Sequence, residues 1–171
     1  NTNELLVLNQ LFSAGTHLGH KTSKWNSKMA PYLFGTRNGI HIIDLEKTIY
    51  FLRRIVKIIN CLLKDGGTIF IVGNSDNNNN FVRLLGEKFE VPYVCEKWIG
   101  GILSNWDGFS QKMQNGKVRR RVVSFTKGLR FMNNKPSIAI VLNVNENQDA
   151  IKEIQKLNIP IVGVVDSNSS L

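Results

Sequence analysis

Three histidines are the side chains whose spacing first suggests a metal site. His17 and His20 are three residues apart, so on a helix both imidazoles would share a face, and His41 could approach them in space. No cysteine or carboxylate lies near enough in the sequence to complete a set of four ligands. A helix is expected to end at Gly15, and hydrogen bonds from the two imidazoles to backbone groups or to a nucleic-acid phosphate are the simpler interpretation. We therefore expect no metal site.

The polar turn Gly73–Asn80 (GNSDNNNN) is the place where a nucleotide would bind. It follows a predicted buried strand, and open parallel sheets bind ligands beyond the carboxyl ends of their strands. The turn lacks both glycine-rich phosphate-binding patterns, GxGxxG and GxxxxGK(S/T), and Asp76 would repel a phosphate there. The sequence thus gives little support to a nucleotide site.

The sequence offers no arrangement of catalytic side chains either. No serine or cysteine lies in a recognisable nucleophile elbow, and no pair of carboxylates stands in an apolar setting. Cys61 and Cys95 are each alone in an apolar pattern, which predicts buried, reduced side chains. We expect a protein that is not an enzyme and that uses no cofactor and no small-molecule substrate. A nucleotide- or small-molecule-binding enzyme built on an open parallel sheet is the alternative.

Positive charge is concentrated in two segments of the chain, whose net charge is +9. Between Leu5 and Ile43 there are four bases and no acid, and between Gly108 and Asn145 there are eight bases and no acid. The other residues carry ten bases against thirteen acids, which is a net charge of −3. Charge segregated in this way is typical of a protein that binds a polyanion, although a solvated basic face is the alternative.

Planar side chains are interleaved with the bases of the first segment. Trp25 and Tyr32 lie among four bases of the sequence, Lys21, Lys24, Lys28 and Arg37. Phosphate contacts use flexible cations, and unpaired nucleic-acid bases stack on flat rings, so this mixture favours RNA binding. For Trp25 a position in the core is as plausible as stacking on a base.

The second basic segment follows two further tryptophans. Trp98 and Trp106 flank Gly100-Gly101, where a bulky ring is expected to lock a chain reversal. Three consecutive guanidiniums, Arg119–Arg121, have no acid nearby in the sequence and predict phosphate contacts. Three more bases of this segment are counted as RNA-binding candidates, namely Lys117, Lys127 and Arg130.

Apolar patterns predict alternating helices and strands that would position these residues. The predicted helices are 4–14, 46–63, 81–89, 102–113 and 148–157, and Asp44 is expected to cap the second. The predicted strands are 40–45, 68–72, 91–95, 137–142 and 160–165. The first strand is expected to pair with residues 32–34 as a hairpin. Four of the strands lack polar alternation and are separated by helices, which indicates a parallel sheet covered on both faces. Right-handed connections then give an α/β fold, a three-layer α/β/α sandwich.

The length of 171 residues predicts a single α/β domain with three parts. Residues 1–45 supply the N-terminal helix, a basic loop and the hairpin, residues 46–110 and 137–171 form the sandwich, and residues 111–136 form a short basic insertion. We expect this insertion to project from the sandwich. No apolar run approaches 18 residues, so no membrane partner is expected. Twenty of the residues are Asn, a composition that favours an A/T-rich genome such as an organellar one.

Three segments in order resemble signatures of the ribosomal protein S2 family of the small ribosomal subunit. They are LFSAGTHLGHKTSKWNSKMAPYLFGTRNGIHIIDLEKT (Leu11–Thr48), WIGGILSNW (Trp98–Trp106) and Ser137–Asn168, with its Asn-Ile-Pro turn and its Val-Asp-Ser-Asn end. The resemblance covers most of the chain. It implies a flavodoxin-like sandwich between the head and body of the small subunit, bound to small-subunit rRNA and neighbouring ribosomal proteins, without enzymatic activity.

The same resemblance implies a set of RNA-facing residues. At matching positions these are His17, His20, Lys21, Lys24, Trp25, Asn26, Lys28, Arg37 and Asn38, with Asn105 and Trp106 as secondary candidates.

The chain departs from the family pattern in three places. Bacterial-type members carry a long helical hairpin at the position of the short, basic segment 111–136 of this chain. They also carry a Thr-Lys turn where this chain has Asn74-Ser75-Asp76. The sequence also ends at Leu171, before the family's last helix. The short insertion and the Asn-rich composition favour a mitochondrial member located in the mitochondrial ribosome, with a plastid or bacterial one as the alternative. An RNA-binding regulator outside the ribosome is a further alternative.

Overall fold

The computed structural model describes residues 2–74, 79–115 and 127–170. Its contacts divide the chain into two compact units. Unit 1 comprises Asn1–Cys61 together with Val165–Leu171, and unit 2 comprises Leu62–Val164. The expectation that all 171 residues form one domain stays a prediction.

Unit 1 contains a small antiparallel sheet between two helices in the sequence. Its elements are α1 (Thr2–Ser13), β1 (Leu18–Lys21), a 3-10 helix (Ser27–Tyr32), β2 (Leu33–Arg37), β3 (Ile40–Ile43) and most of α2 (Leu45–Lys64). The strand order is β1-β3-β2, and both pairings are antiparallel. Asn38 and Gly39 join β2 to β3 with φ values of 51° and 73°, as a two-residue hairpin turn requires. The predicted hairpin is therefore confirmed, whereas β1 was not predicted.

The start of α2 is fixed by its capping residue. One carboxylate oxygen of Asp44 accepts hydrogen bonds from the backbone N–H groups of Glu46 and Lys47, at 3.1 and 3.2 Å. Burial alone would raise the pKa of Asp44, but these bonds and the Lys47 ammonium at 3.2 Å hold it below its ordinary value. The predicted cap is confirmed. The prediction that Cys61 is buried is wrong, because a rotation of about 100° per residue puts it opposite the apolar stripe of α2.

Unit 2 is built around a parallel sheet. Its elements are β4 (Ile69–Val72), α3 (Asn79–Phe89), β5 (Tyr93–Val94), α4 (Trp106–Gln114), a second 3-10 helix (Lys127–Phe131), β6 (Ile138–Val141), α5 (Gln148–Lys156) and β7 (Ile161–Gly163). The four strands lie in the order β5-β4-β6-β7, and all three pairings are parallel. This order follows the flavodoxin-like pattern.

The two faces of this sheet bury separate clusters of apolar side chains. Phe70 and Val72 of β4 pack with Ile154 of α5 and Trp106 of α4, while the other cluster contains Val82 of α3. Helices thus surround the sheet, and the predicted three-layer α/β/α sandwich is confirmed. The second cluster includes Cys95, which is buried as predicted; burial raises the pKa of its thiol.

Two local predictions in unit 2 are wrong. Residues 101–105 form turns, and α4 begins at Trp106 rather than at Ile102. The reason is that the backbone N–H of Leu103 donates to the carboxylate of Glu153. Part of the basic insertion packs in the core instead of projecting from the sandwich: Leu129 and Met132 are only 1% and 4% exposed. Residues 116–126 lie outside the described residues. None of the described helices is long and apolar enough to cross a membrane.

Candidate RNA interface

Four exposed residues predicted to bind RNA meet at one end of the three-stranded sheet. In the strand register Ile40 lies opposite Lys21 on one side and opposite Arg37 on the other. Directly opposed residues share a face of a sheet, so these two cations flank Ile40 on one face. The residue that follows β1 binds the hairpin tip at Asn38-Gly39: the Thr22 N–H donates to the Gly39 carbonyl at 2.9 Å.

Lys24 joins this group through a turn that follows β1. Its backbone N–H donates to the carbonyl of Lys21 at 2.9 Å. We call Lys21, Lys24, Arg37 and Asn38 the basic rim; the side chains of all four are exposed. Within the described part of the chain, no carboxylate lies within ion-pair distance of Lys21, Lys24 or Arg37. These cations can therefore meet phosphates without first breaking an ion pair.

Trp25 lies beside the rim against a buried histidine. Its ring packs on His41 with centroids 4.6 Å apart and an interplanar angle of 36°, and 37% of the residue is exposed. His41 itself is only 7% exposed. One face of the indole thus contributes to packing, while its exposed part is large enough for a base to contact.

Asn26 and Lys28 lie at the start of the first 3-10 helix. The Asn26 carboxamide oxygen accepts the backbone N–H of Lys28 at 3.0 Å and so caps this helix. Asn26 is partly buried and the Lys28 side chain is exposed. The amide of Asn26 is therefore already used in local structure.

His20 is held by the turn Asp166–Ser169. Its Nδ1 lies 3.3 Å from a carboxylate oxygen of Asp166, and its Nε2 lies 3.3 Å from the amide nitrogen of Asn168. Its backbone N–H donates to the hydroxyl of Ser167 at 2.7 Å. The imidazole thus joins two parts of unit 1 that are distant in the sequence. Composition and spacing gave no signal for this contact.

His17 packs on α1 instead. Its ring is stacked on Phe12, with centroids 4.3 Å apart and an interplanar angle of 9°. Its Nδ1 atom is buried and has no hydrogen-bond partner among the described residues. The two histidines do not share a helix face, because β1 begins between them at Leu18. Among the described residues no group of three or more His, Cys, Asp or Glu side chains could hold a metal ion.

The second basic segment is described only from Lys127 onward. Lys127 and Arg130 lie exposed on the second 3-10 helix, and Arg130 forms an ion pair with Glu87 of α3 and lies over the Phe131 ring at 4.7 Å. Lys117, Arg119, Arg120 and Arg121 lie outside the described residues, so their contacts stay predictions.

Lys127 and Arg130 line a cavity of about 650 Å³ in unit 2. Its wall also contains the ion pair of Arg83 with Glu96 (3.1 Å), and Tyr93, whose hydroxyl donates to Glu87 at 2.7 Å. Burial and the Glu87 carboxylate raise the pKa of Tyr93 to about 12. The cavity mixes both signs of charge and is less suited to a polyanion than the basic rim.

The second signature is organised by Glu153 of α5. Its carboxylate accepts the indole N–H of Trp98, the backbone N–H groups of Gly101, Leu103 and Ser104, and the Ser104 hydroxyl, all at 2.9 to 3.0 Å. Burial raises the pKa of Glu153, but these hydrogen bonds outweigh it and hold the pKa below its ordinary value. A single carboxylate therefore fixes the turn between the two tryptophans.

Asn105 and Trp106 end this turn in different environments. Trp106 is 7% exposed, lies in the core, and its indole N–H donates to the Asn133 carbonyl at 3.5 Å. Asn105 precedes α4 with an exposed side chain that makes no capping hydrogen bond. Of the two secondary candidates, only Asn105 presents its side chain to solvent.

Where a nucleotide would bind, the described residues form a hydrogen-bonded network of their own. It lies between the carboxyl ends of β4 and β6, where the strand order reverses. The buried amide of Asn147 accepts the Asn74 N–H at 3.3 Å and donates to the carbonyls of Leu142 and Asn143, both at 2.9 Å. A Cβ on Gly73 would lie 2.4 Å from Val82, so the described part of the turn is tightly packed.

Comparisons with known proteins identify the family. A family model described as Ribosomal protein S2 matches residues 11–171. Three similar relatives bear the name Small ribosomal subunit protein uS2. That of Rhodospirillum centenum is 35% identical, over 95% of this chain and 72% of its own length. That of Gluconobacter oxydans is 33% identical (96% and 71%), and that of Cereibacter sphaeroides is 35% identical (95% and 74%).

These matches confirm the resemblance seen in the three sequence signatures, and they cover almost the whole chain. The family is a structural, non-enzymatic one. The chain belongs to the ribosomal protein S2 family.

Proposed function

We propose that this protein is a structural component of the small ribosomal subunit that holds small-subunit rRNA mainly through the basic rim. The observation that carries the proposal is the gathering of three exposed cations, Lys21, Lys24 and Arg37, at one end of a sheet, where none of them forms an ion pair with a described residue. Each cation that meets a phosphate releases condensed counterions, which is the main source of affinity in such contacts.

The fold supplies the geometry for this electrostatic contact. Short antiparallel strands joined by the Asn38-Gly39 turn hold Lys21 and Arg37 on one face, so fewer degrees of freedom are lost on binding. The exposed part of Trp25 and the side chains of Asn38 and Lys28 extend the contact surface. Lys117, Arg119–Arg121, Lys127 and Arg130 form a second contact region in this proposal, and neighbouring ribosomal proteins at the head–body junction cover other surfaces.

We further propose that the ribosome in question is mitochondrial. The support is compositional: twenty Asn residues and a short basic segment at residues 111–136. The relatives named above come from bacteria, so a bacterial or plastid ribosome is the competing location.

Cosedimentation tests the proposed role. Lysate from the source organism is fractionated on a gradient after a wash in moderate salt, and the chain is followed with an antibody. We expect it to travel with the small subunit, and with the mitochondrial one when organelles are separated first. Recovery in slow fractions that contain RNA but no ribosomal subunits would instead indicate a regulator outside the ribosome.

A further inference from the structure

One serine contacts both ends of the basic loop, which we define as Lys21–Trp25. The hydroxyl of Ser167 accepts the backbone N–H of His20 at 2.7 Å, directly before the loop. The carbonyl of the same residue accepts the backbone N–H of Asn26 at 2.9 Å, directly after the loop. Ser167 is completely buried, so water does not compete for these bonds.

The turn that carries Ser167 fits closely against β1. A Cβ on Gly19 would lie 2.7 Å from the Ser167 hydroxyl and 3.0 Å from the His41 carbonyl, so only glycine allows this approach. The turn is closed by reciprocal bonds, from the Asp166 N–H to the Ser169 hydroxyl and from the Ser169 N–H to the Asp166 carbonyl, both at 2.9 Å. Ser167 is thus held by a rigid support of its own.

We propose that Ser167 is a positioning residue for RNA binding: by fixing both ends of the basic loop it holds Lys21 and Lys24 in place before RNA arrives. A loop ordered in advance loses less conformational entropy when it binds. Ser167 carries no charge and touches no RNA in this account; it acts through the backbone of His20 and Asn26 and through the His20 imidazole, whose Nδ1 lies 3.4 Å from the serine hydroxyl. The inference rests on the proposed function, because it requires that the loop lysines meet phosphates.

Salt-dependent affinity for in vitro transcribed small-subunit rRNA separates positioning from charge. Ser167→Ala removes the hydroxyl that accepts the His20 N–H and keeps the carbonyl bond to Asn26, so it should weaken binding about fivefold, without changing the slope of log K against log salt concentration. Lys24→Ala should reduce the magnitude of that slope by about 0.7 to 0.9. Ser137→Ala is a control for the loss of a serine hydroxyl that accepts a backbone N–H: the exposed Ser137 accepts that of Thr68 at 3.2 Å in unit 2. It should leave RNA affinity unchanged.

Double variants distinguish positioning from general destabilisation. Ser167→Ala should reduce RNA affinity less in a Lys24→Ala background than in the wild type. In a Lys127→Ala background it should reduce affinity as much as in the wild type. Ser167→Cys keeps the side-chain volume and a weaker hydrogen-bond acceptor, so its RNA affinity should lie between those of the wild type and Ser167→Ala. Circular dichroism should show that all variants are folded. Equal losses in both backgrounds, or wild-type affinity of Ser167→Ala, would overturn the inference. An unchanged slope for Lys24→Ala would instead remove the loop from the proposed RNA contact.

Discussion

At the scale of single residues, two polar side chains, the half-buried Glu153 and the buried Asn147, organise segments that the sequence alone left irregular. Glu153 gathers five hydrogen bonds from the turn between Trp98 and Trp106, and Asn147 ties together the ends of β4 and β6. Buried donors that lose their acceptor keep the full cost of desolvation, so both side chains should be sensitive to substitution.

Glu153→Gln should lower the free energy of unfolding by about 2 kcal/mol at neutral pH, because an amide nitrogen would then face backbone donors. Urea unfolding followed by circular dichroism measures the change. Glu146→Gln, at an exposed position in the loop before α5, is the control and should stay within about 0.5 kcal/mol of wild type.

The effect of Glu153 should also depend on pH. Its folded pKa is depressed below the ordinary value of 4.5, so its stabilising contribution is complete above that value and is lost as the pH falls through the folded pKa. The difference between wild type and Glu153→Gln should therefore shrink in urea titrations below pH 4.5. A difference that grows towards acid would contradict the assigned hydrogen bonds.

At the scale of elements, local signals decided which predictions were correct. The hairpin of β2 and β3 was predictable because Asn38-Gly39 carries its own turn preference, and α2 because Asp44 and a helical apolar stripe occur together. β1 was missed because Leu18–Lys21 (LGHK) has no strand pattern; it is held by pairing with β3 and by the turn containing Ser167. Such support comes from residues distant in sequence.

The cap of α2 can be tested by substitution. Asp44→Ala should lower the free energy of unfolding by about 1 kcal/mol, since it frees the N–H groups of Glu46 and Lys47. Asp44→Asn is the matched control, because asparagine caps about as well as aspartate. Equal losses for the two variants in urea unfolding would show that the charge, rather than the cap, stabilises this helix end.

The candidate site shows the same limit of sequence reasoning. The cations of the basic rim were identified from charge and spacing, but their meeting at one sheet end depends on the register of β1 with β3. Arg130 lies in a segment without acids, yet it pairs with Glu87, which is 43 residues away. Trp106 was a possible RNA contact by resemblance, and it lies in the core.

At the scale of the whole molecule, positive charge concentrated in segments of the sequence can bind an RNA backbone best where the fold places no opposite charge beside it. The second basic segment supplies a separate prediction. Replacing Arg119, Arg120 and Arg121 together by Ala should weaken association with the small subunit and reduce the salt slope by about 2 to 3, if each meets a phosphate. An unchanged slope in rRNA binding would remove these residues from the interface.

The basic rim provides the most direct test of the account. The measurement is the salt dependence of binding to small-subunit rRNA for the combined Lys21→Ala, Lys24→Ala and Arg37→Ala variant, with the exposed Lys152→Ala of α5 as control. We predict that the triple variant loses about 2 to 3 units of slope, because three phosphates are no longer neutralised, while the control keeps the wild-type slope. Equal slopes for the triple variant and the wild-type protein would contradict the account.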